Sequence, residues 1–439
     1  MKNISTRKNI LLPLSFLSLF TLLLSACEDK VEVTRTYTIY EPVYMSLSEI
    51  RASVDVIEPM PITATGKLYL YENMVLINDP GNGIHLVDNT DQSNPEAIGF
   101  ISIPGNFDFS VRGDKLYADS YMDLVILDIS DLDNITEVNR INDIFLDFNF
   151  QNGVYIDPDS GLVVDYVEKE IIEVTSGEFQ YNYFPEYFYL SDSRAFMAEA
   201  SSDVAFMAAP PSTSVGIGGS MATFTIVNTH LYILDRSSVL TFDISNPDNP
   251  QNVDILPLGW GIETIFPYQE NLFVGSQTGM YIIDNSDQGN PELISQYNHV
   301  FSCDPVVVQG DLAYVTLRSG NNCRGGALNQ LEVIDISNLQ SPQLLKEYPM
   351  LSPHGLGIDG DALFVCEGTH GLKVFDASDE MKIGENQIIH LNDIDAFDVI
   401  PYDNTLYLIG QDGLYQFDYS DLNDITLISV IRVENPSNL

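Results

Sequence analysis

Basic residues are scarce in this chain: 19 Lys and Arg stand against 63 Asp and Glu, a formal charge of −44 at pH 7. That balance argues against a nucleic-acid ligand, whose phosphates would be repelled, and against docking on anionic lipid. The acids are dispersed among turns instead of forming a tail, so they do not imply disorder. Cysteine is limited to four residues with no CxxC pair, which argues against a zinc ribbon or a dithiol redox centre. Sustained 3.6-residue amphipathic periodicity is missing after the first residues, which excludes a helical body. No nucleophile elbow, HExxH, P-loop or Rossmann glycine pattern occurs. Asp157-Pro158-Asp159-Ser160-Gly161 echoes part of a calcium loop but lacks the distal Glu. What is abundant is apolar and aromatic material, 45% hydrophobic residues with 23 Tyr and 22 Phe, enough for a large core.

That material is organised as a repeat. An apolar segment closed by aspartate and a turn recurs, as in Gly83-Ile84-His85-Leu86-Val87-Asp88, Leu124-Val125-Ile126-Leu127-Asp128, Met280-Tyr281-Ile282-Ile283-Asp284 and Leu414-Tyr415-Gln416-Phe417-Asp418. The closing aspartates are spaced by 40 residues from Asp88 to Asp128, then by 41, 51, 41 and 42 from Asp243 through Asp284, Asp335 and Asp376 to Asp418. A period near 40 with short strands inside it predicts propeller blades. Hairpin turns separate the first two strands of a unit, at Gly113-Asp114, Gly310-Asp311, Gly360-Asp361 and Asp403-Asn404. Turns such as Asn246-Pro247-Asp248-Asn249-Pro250 follow the third strand. The third strands lack polar alternation, as expected of strands buried on both faces. Each closing carboxylate suits the amides of its own turn, with metal binding as the alternative role.

The apolar strand ending in Asp-Ile-Ser, followed by an Asn-Pro turn, resembles the LVIVD repeat family, with Leu124-Val125-Ile126-Leu127-Asp128 as the nearest copy. The resemblance spans about residues 67–433 and implies a cell-surface β-propeller, with no catalytic set attached. Thr241 and Gln416 depart from the pattern. The expected fold is all-β, a propeller of eight four-stranded blades, with seven as the alternative. The choice turns on the 115 residues between Asp128 and Asp243, where Leu146-Asp147-Phe148-Asn149-Phe150 and Gly161-Leu162-Val163-Val164-Asp165-Tyr166 look like a degenerate third unit. An insertion follows at about residues 178–220. Its Gly216-Ile217-Gly218-Gly219-Ser220 reads as flexible loop. In the lead segment, residues 27–66, Tyr37-Thr38-Ile39-Tyr40 is β-prone enough to pair with an outer blade and help close the ring. Residues 434–439 are a tail.

The first residues read as an address. Lys2, Arg7 and Lys8 precede an apolar run at 10–24 and the small-residue site Leu24-Ser25-Ala26-Cys27. This order resembles the lipobox of bacterial lipoproteins. It implies removal of residues 1–26, lipidation of Cys27 and attachment to the outer membrane; an ordinary secretory signal or an uncleaved anchor is the alternative. Glu28 and Asp29 resemble the acidic export signal of surface-exposed lipoproteins, which implies a cell-surface location. Cys303 and Cys323 flank the open end of one hairpin, within reach of a disulfide in an oxidising exterior, with free or metal-bound thiols as the alternative. Cys366 reads as a buried small apolar residue.

Binding in propellers is expected at the mouth of the central channel. Alignment on the hairpin turns puts Asp108, Glu263, Asp304, His354 and Asp398 at or near the residues opening the first strands. Such a ring holds Ca²⁺ through oxygen ligands or is a solvated rim; no other cofactor is indicated. His354 and His370 flank two strands of one unit and suggest a metal or proton-transfer pair, although paired histidines in Gly-rich turns are ordinary. The stretch 179–189 packs seven aromatic rings into eleven residues, among them Tyr181, Tyr183, Phe184, Tyr187 and Tyr189. These rings seat a glycan or protein partner if exposed, or cap a blade edge if buried. The expected function is a lipid-anchored, non-catalytic scaffold for a protein or glycan. The alternative is an envelope hydrolase or lyase acting on polysaccharide in the channel.

Overall fold

The computed structural model describes residues 32–145, 156–157, 160–176, 215–299, 305–319 and 329–434. Among them the chain forms eight antiparallel sheets and almost no helix. Seven sheets are built on four consecutive strands each and are the blades of a propeller. In chain order their first strands are Leu68–Tyr71, Phe109–Arg112, Phe224–Val227, Ile262–Tyr268, Val306–Gln309, Leu356–Asp359 and Ala396–Tyr402, in blades 1 to 7. First strands of adjacent blades contact one another, whereas the fourth strands, such as Glu292–Asn298 and Gln343–Pro349, are largely exposed or half-buried.

The third strands carry the burial that their composition predicts. Gly83–Asp88, Gly279–Asp284 and Gly413–Asp418 are buried at every position except the closing Asp. Their side chains join clusters spanning neighbouring blades, and each buried Val, Leu or Ile contributes about 1.5–3 kcal/mol. Glycine at the start of these strands is required. At Gly83 and Gly413 φ is 147°, and a Cβ would lie 2.0 Å from the carbonyl oxygen of Ile101 or Ile431. Every blade also shifts register between its third and fourth strands, a bulge that increases local twist.

The closing aspartates are turn caps. Asp88, Asp128, Asp243, Asp284, Asp335, Asp376 and Asp418 each accept the backbone N–H two residues on, at 2.7–2.9 Å. The hydroxyl and amide of that Ser or Thr hold these carboxyls below their usual range.

Eight sheets are present, but the ring of blades closes with seven, the alternative count. The eighth sheet is a three-stranded ribbon of Glu32–Met45, Gly161–Ser176 and Ile156–Asp157, and its two long strands belong to a compact unit of their own. The third-unit reading therefore fails at Gly161–Ser176, which pairs with the lead segment. The reason is length: a 16-residue strand is matched by the 14-residue Glu32–Met45, whereas blade strands run four to seven residues. Tyr37–Tyr40 lies in that ribbon and does not close the ring. Lys169 pairs there with Glu41 at 2.6 Å. The lead segment meets the propeller elsewhere, through Asp55–Ile57 on the fourth strand of blade 1.

Blades 7 and 1 meet without exchanging strands. Ile400, Tyr407, Ile409 and Leu414 pack with Leu68, Val75, Ile77 and Val87. Tyr407 Oη accepts from Gln92 at 3.0 Å and Asn89 at 3.3 Å, and Gln416 donates to Asn89 at 2.7 Å. Gln416, a departure from the repeat, is thus a polar contact of the closing seam.

Candidate functional site

The centre of the ring is occupied by the chain itself. Residues 215–223, returning from the insertion, run along the first strands of several blades before entering blade 3. Val215 bridges Arg112 and Gly216 N–H donates to the Val111 carbonyl at 3.0 Å, both in blade 2. Ile217–Gly218 then pairs with Leu70 and Tyr69, adding a strand to the inner edge of blade 1. Ser220 donates its hydroxyl to Asp398 of blade 7 at 2.9 Å and accepts the Leu356 N–H of blade 6 at 2.8 Å. Ala222 accepts the Ile265 N–H of blade 4 at 2.8 Å.

This corrects the flexible-loop reading of Gly216 to Ser220. The glycines permit close backbone approach: a Cβ on Gly216 would lie 2.1 Å from the Tyr69 ring, and one on Gly355 would lie 2.0 Å from Asp398 Oδ1. Ser220 and Met221 are buried.

Two of the expected channel-mouth carboxylates hold this return segment. Asp108 Oδ2 accepts the Thr223 N–H at 2.6 Å, its hydroxyl at 2.7 Å and the Phe224 N–H at 3.1 Å, while its other oxygen pairs with the buried Lys67 ammonium. Lys67 also donates to the Phe109 carbonyl at 2.7 Å and lies beside the Tyr69 and Phe109 rings. Burial lowers the Lys67 pKa, opposed by Asp108. Asp119, in the same hub, accepts from Asn106, Phe107 and Asp108, and burial pushes its carboxyl up to about 7. Asp398, at the opposite side of the segment, is wholly buried. A solvated rim is therefore the wrong description of Asp108 and Asp398: they are internal braces.

The remaining predicted residues are not gathered with them. Glu263 is half-buried and accepts from Gln277 at 2.8 Å. His354 is buried; its Nδ1 donates to the Ser352 carbonyl at 2.8 Å and its Nε2 faces Arg318 at 2.6 Å. Desolvation and the Arg318 charge lower its pKa to about 4, so the ring is neutral near pH 7 with both nitrogens engaged. His354 and His370 share one end of blade 6, where the His354 ring packs on Gly368, but His370 is exposed and its carbonyl accepts from His390 at 2.6 Å. Among the described residues no group of three His, Cys, Asp or Glu side chains is arranged to hold a metal. Asp304, Cys303, Cys323, Cys27 and the aromatic stretch 179–189 lie outside the described residues. Cys366 is buried as expected.

One aromatic group stands out on the loop face. Trp260, the single tryptophan, is 66% exposed in the connection between blades 3 and 4. Beneath it lies the buried Arg236 guanidinium, 4.8 Å from the ring centroid. Gly259 and Gly261 flank the indole at φ of 127° and 86°, and Gly261 N–H donates to the Arg236 carbonyl at 3.0 Å.

The family model described as LVIVD repeat matches residues 107–143 and 302–349, which correspond to blades 2 and 5. The chain is a β-propeller that carries LVIVD repeats in two of its blades. No curated protein matches the chain in sequence. Solved structures similar to it include BamB from Moraxella catarrhalis, at 9% identity over 88% of this chain and 97% of that chain, with a TM-score of 0.47. Saccharomyces cerevisiae Sqt1 is 13% identical over 87% of this chain and 100% of that one, with a TM-score of 0.45. Kluyveromyces lactis Hsv2 is 10% identical over 85% and 99%, with a TM-score of 0.44.

Sequence reasoning missed Lys67, Ser220, Thr223, Arg236, Trp260 and Arg318. Two signals were present. Lys67 is one of few lysines and precedes a first strand, and Trp260 is a lone tryptophan between two glycines. Ser220 and Thr223 carried none, because only the path of the chain brings them to Asp398 and Asp108.

Proposed function

We propose that the chain is a lipid-anchored, non-catalytic propeller of the cell envelope, presenting its loop face to a protein or glycan. The observation that supports this most is the use of Asp108 and Asp398: both are committed to the return segment in the channel, so neither is offered to a substrate. The neutral, doubly engaged His354 likewise weighs against its service as a base near pH 7. The anchor and the outward location rest on the sequence of basic, apolar and small residues leading to Cys27 and on Glu28 and Asp29. The experiment is fractionation of cells producing the intact chain or its Cys27→Ser form, followed by incubation of the intact protein with envelope polysaccharides. Membrane retention lost in Cys27→Ser, with no release of reducing ends or unsaturated sugars, is expected. Turnover that disappears in a folded His354→Ala protein overturns the non-catalytic reading.

A further inference from the structure

We infer that Trp260, backed by Arg236, is a stacking platform for a pyranose ring of a neutral glycan. This deepens the binding reading above and rests on it.

Exposing the single indole of a chain to water leaves a large apolar face uncovered, and here the ring is also held in place. The loop around Trp260 is clamped from both sides: Leu258 and Gly259 N–H groups donate to the Ser237 carbonyl at 2.8 and 3.0 Å, and Gln277 N–H donates to the Gly261 carbonyl at 2.8 Å. The two glycines occupy backbone conformations that side-chain-bearing residues rarely adopt. The Arg236 guanidinium covers one face of the indole and is itself only 8% exposed, which leaves a preorganised ring at the surface.

The surroundings select the ligand. A protein hot spot built on tryptophan is enclosed by contacts that exclude water. The chain beside Trp260 instead consists of Gly259 and Gly261, and the Gln277 side chain lies against Gly261 with its Nε2 donating to Glu263 Oε1 at 2.8 Å. A cationic ligand would meet a ring whose other face already carries a guanidinium. An anionic one would meet the field of a chain with a formal charge of −44. A neutral pyranose fits both conditions. Its axial C–H groups carry partial positive charge toward the negative face of the indole, and its hydroxyls match the amide and carboxylate paired beside Gly261.

The single tryptophan makes the test direct, because its emission reports only this site. The full chain is titrated with maltohexaose, cellohexaose, xylohexaose and chitohexaose while the emission is followed, and any binder is repeated by calorimetry with Trp260→Ala and Gln277→Ala. At least one sugar is expected to change the emission saturably. Trp260→Ala is expected to weaken its binding by at least about tenfold, with unchanged circular dichroism. A flat emission titration with all four sugars overturns the inference, as does preferential binding of an anionic polysaccharide such as alginate. Sugar binding undiminished in Trp260→Ala overturns this site while leaving the binding reading intact; turnover of a bound sugar overturns that reading and leaves the platform.

Discussion

Ser220 donates its hydroxyl to Asp398 at 2.9 Å although 178 residues separate them in sequence. The same oxygen accepts the Leu356 N–H, so one serine ties the return segment to blades 7 and 6. Because blades 7 and 1 exchange no strand, this segment supplies cross-ring links in addition to the seam around Tyr407. Ser220→Ala leaves a buried amide and carboxylate without that partner and is expected to cost about 1–3 kcal/mol in urea unfolding. Gly216→Ala is expected to destabilise as well, since its Cβ meets the Tyr69 ring. Wild-type midpoints in both variants would detach the segment from the stability of the ring.

The Lys67–Asp108 pair is buried beside Thr223, and removing only one partner leaves the other charge in low dielectric. Lys67→Met is expected to cost about 3–5 kcal/mol. Lys67→Met combined with Asp108→Asn is expected to cost less than the sum of the two single changes. A double-mutant cycle by denaturant unfolding measures the coupling, and strict additivity contradicts it.

Two buried groups give stability opposite dependences on pH. His354 has a folded pKa near 4 against an ordinary 6.5, so the unfolded chain binds the extra proton and stability falls as pH drops from 6.5 to 4. Asp119 has a folded pKa near 7 against 3.8, so its contribution is complete below 3.8 and is lost as pH rises through 7. Each is worth at most about 3–4 kcal/mol. Unfolding curves across this range should show His354→Gln removing the acid-side loss and Asp119→Asn removing the alkaline-side loss. Unchanged slopes in both variants contradict the assignment.

Cys366 is buried, and burial raises its thiol pKa well above the usual value. Iodoacetamide is expected to leave it unlabelled in the native chain. If Cys303 and Cys323 are bridged, the denatured, unreduced, lipidated protein labels at Cys366 alone, and reduction adds both others. Labelling at all three before reduction excludes the bridge.

The blades were legible in the sequence because their cause is local. Val and Ile runs closed by an Asp cap, hairpin turns, and a glycine opening a third strand all act within a few residues. The Asp335 cap on Ser337 N–H, for example, spans two residues. The third unit was misread for the same reason: Gly161–Ser176 has the local character of a blade strand, but its partner, Glu32–Met45, lies far earlier in the chain. Asp108 immediately precedes one first strand, Phe109–Arg112, and Asp398 lies within another, Ala396–Tyr402. Their partners Thr223 and Ser220 sit beyond a long insertion, where spacing carries no information about contact.

Composition and short-range periodicity specify strands and hairpins directly, so the repeat, the all-β propeller, the turn caps and the acidic charge can be read along the chain. The tertiary structure alone settles that seven blades close the ring, that residues 215–223 fill its centre and that Asp108 and Asp398 are internal braces. It also decided that Trp260 lies over Arg236 with its ring at the surface. These depend on which distant segments share a space, and close packing selects among pairings that local preference leaves equal.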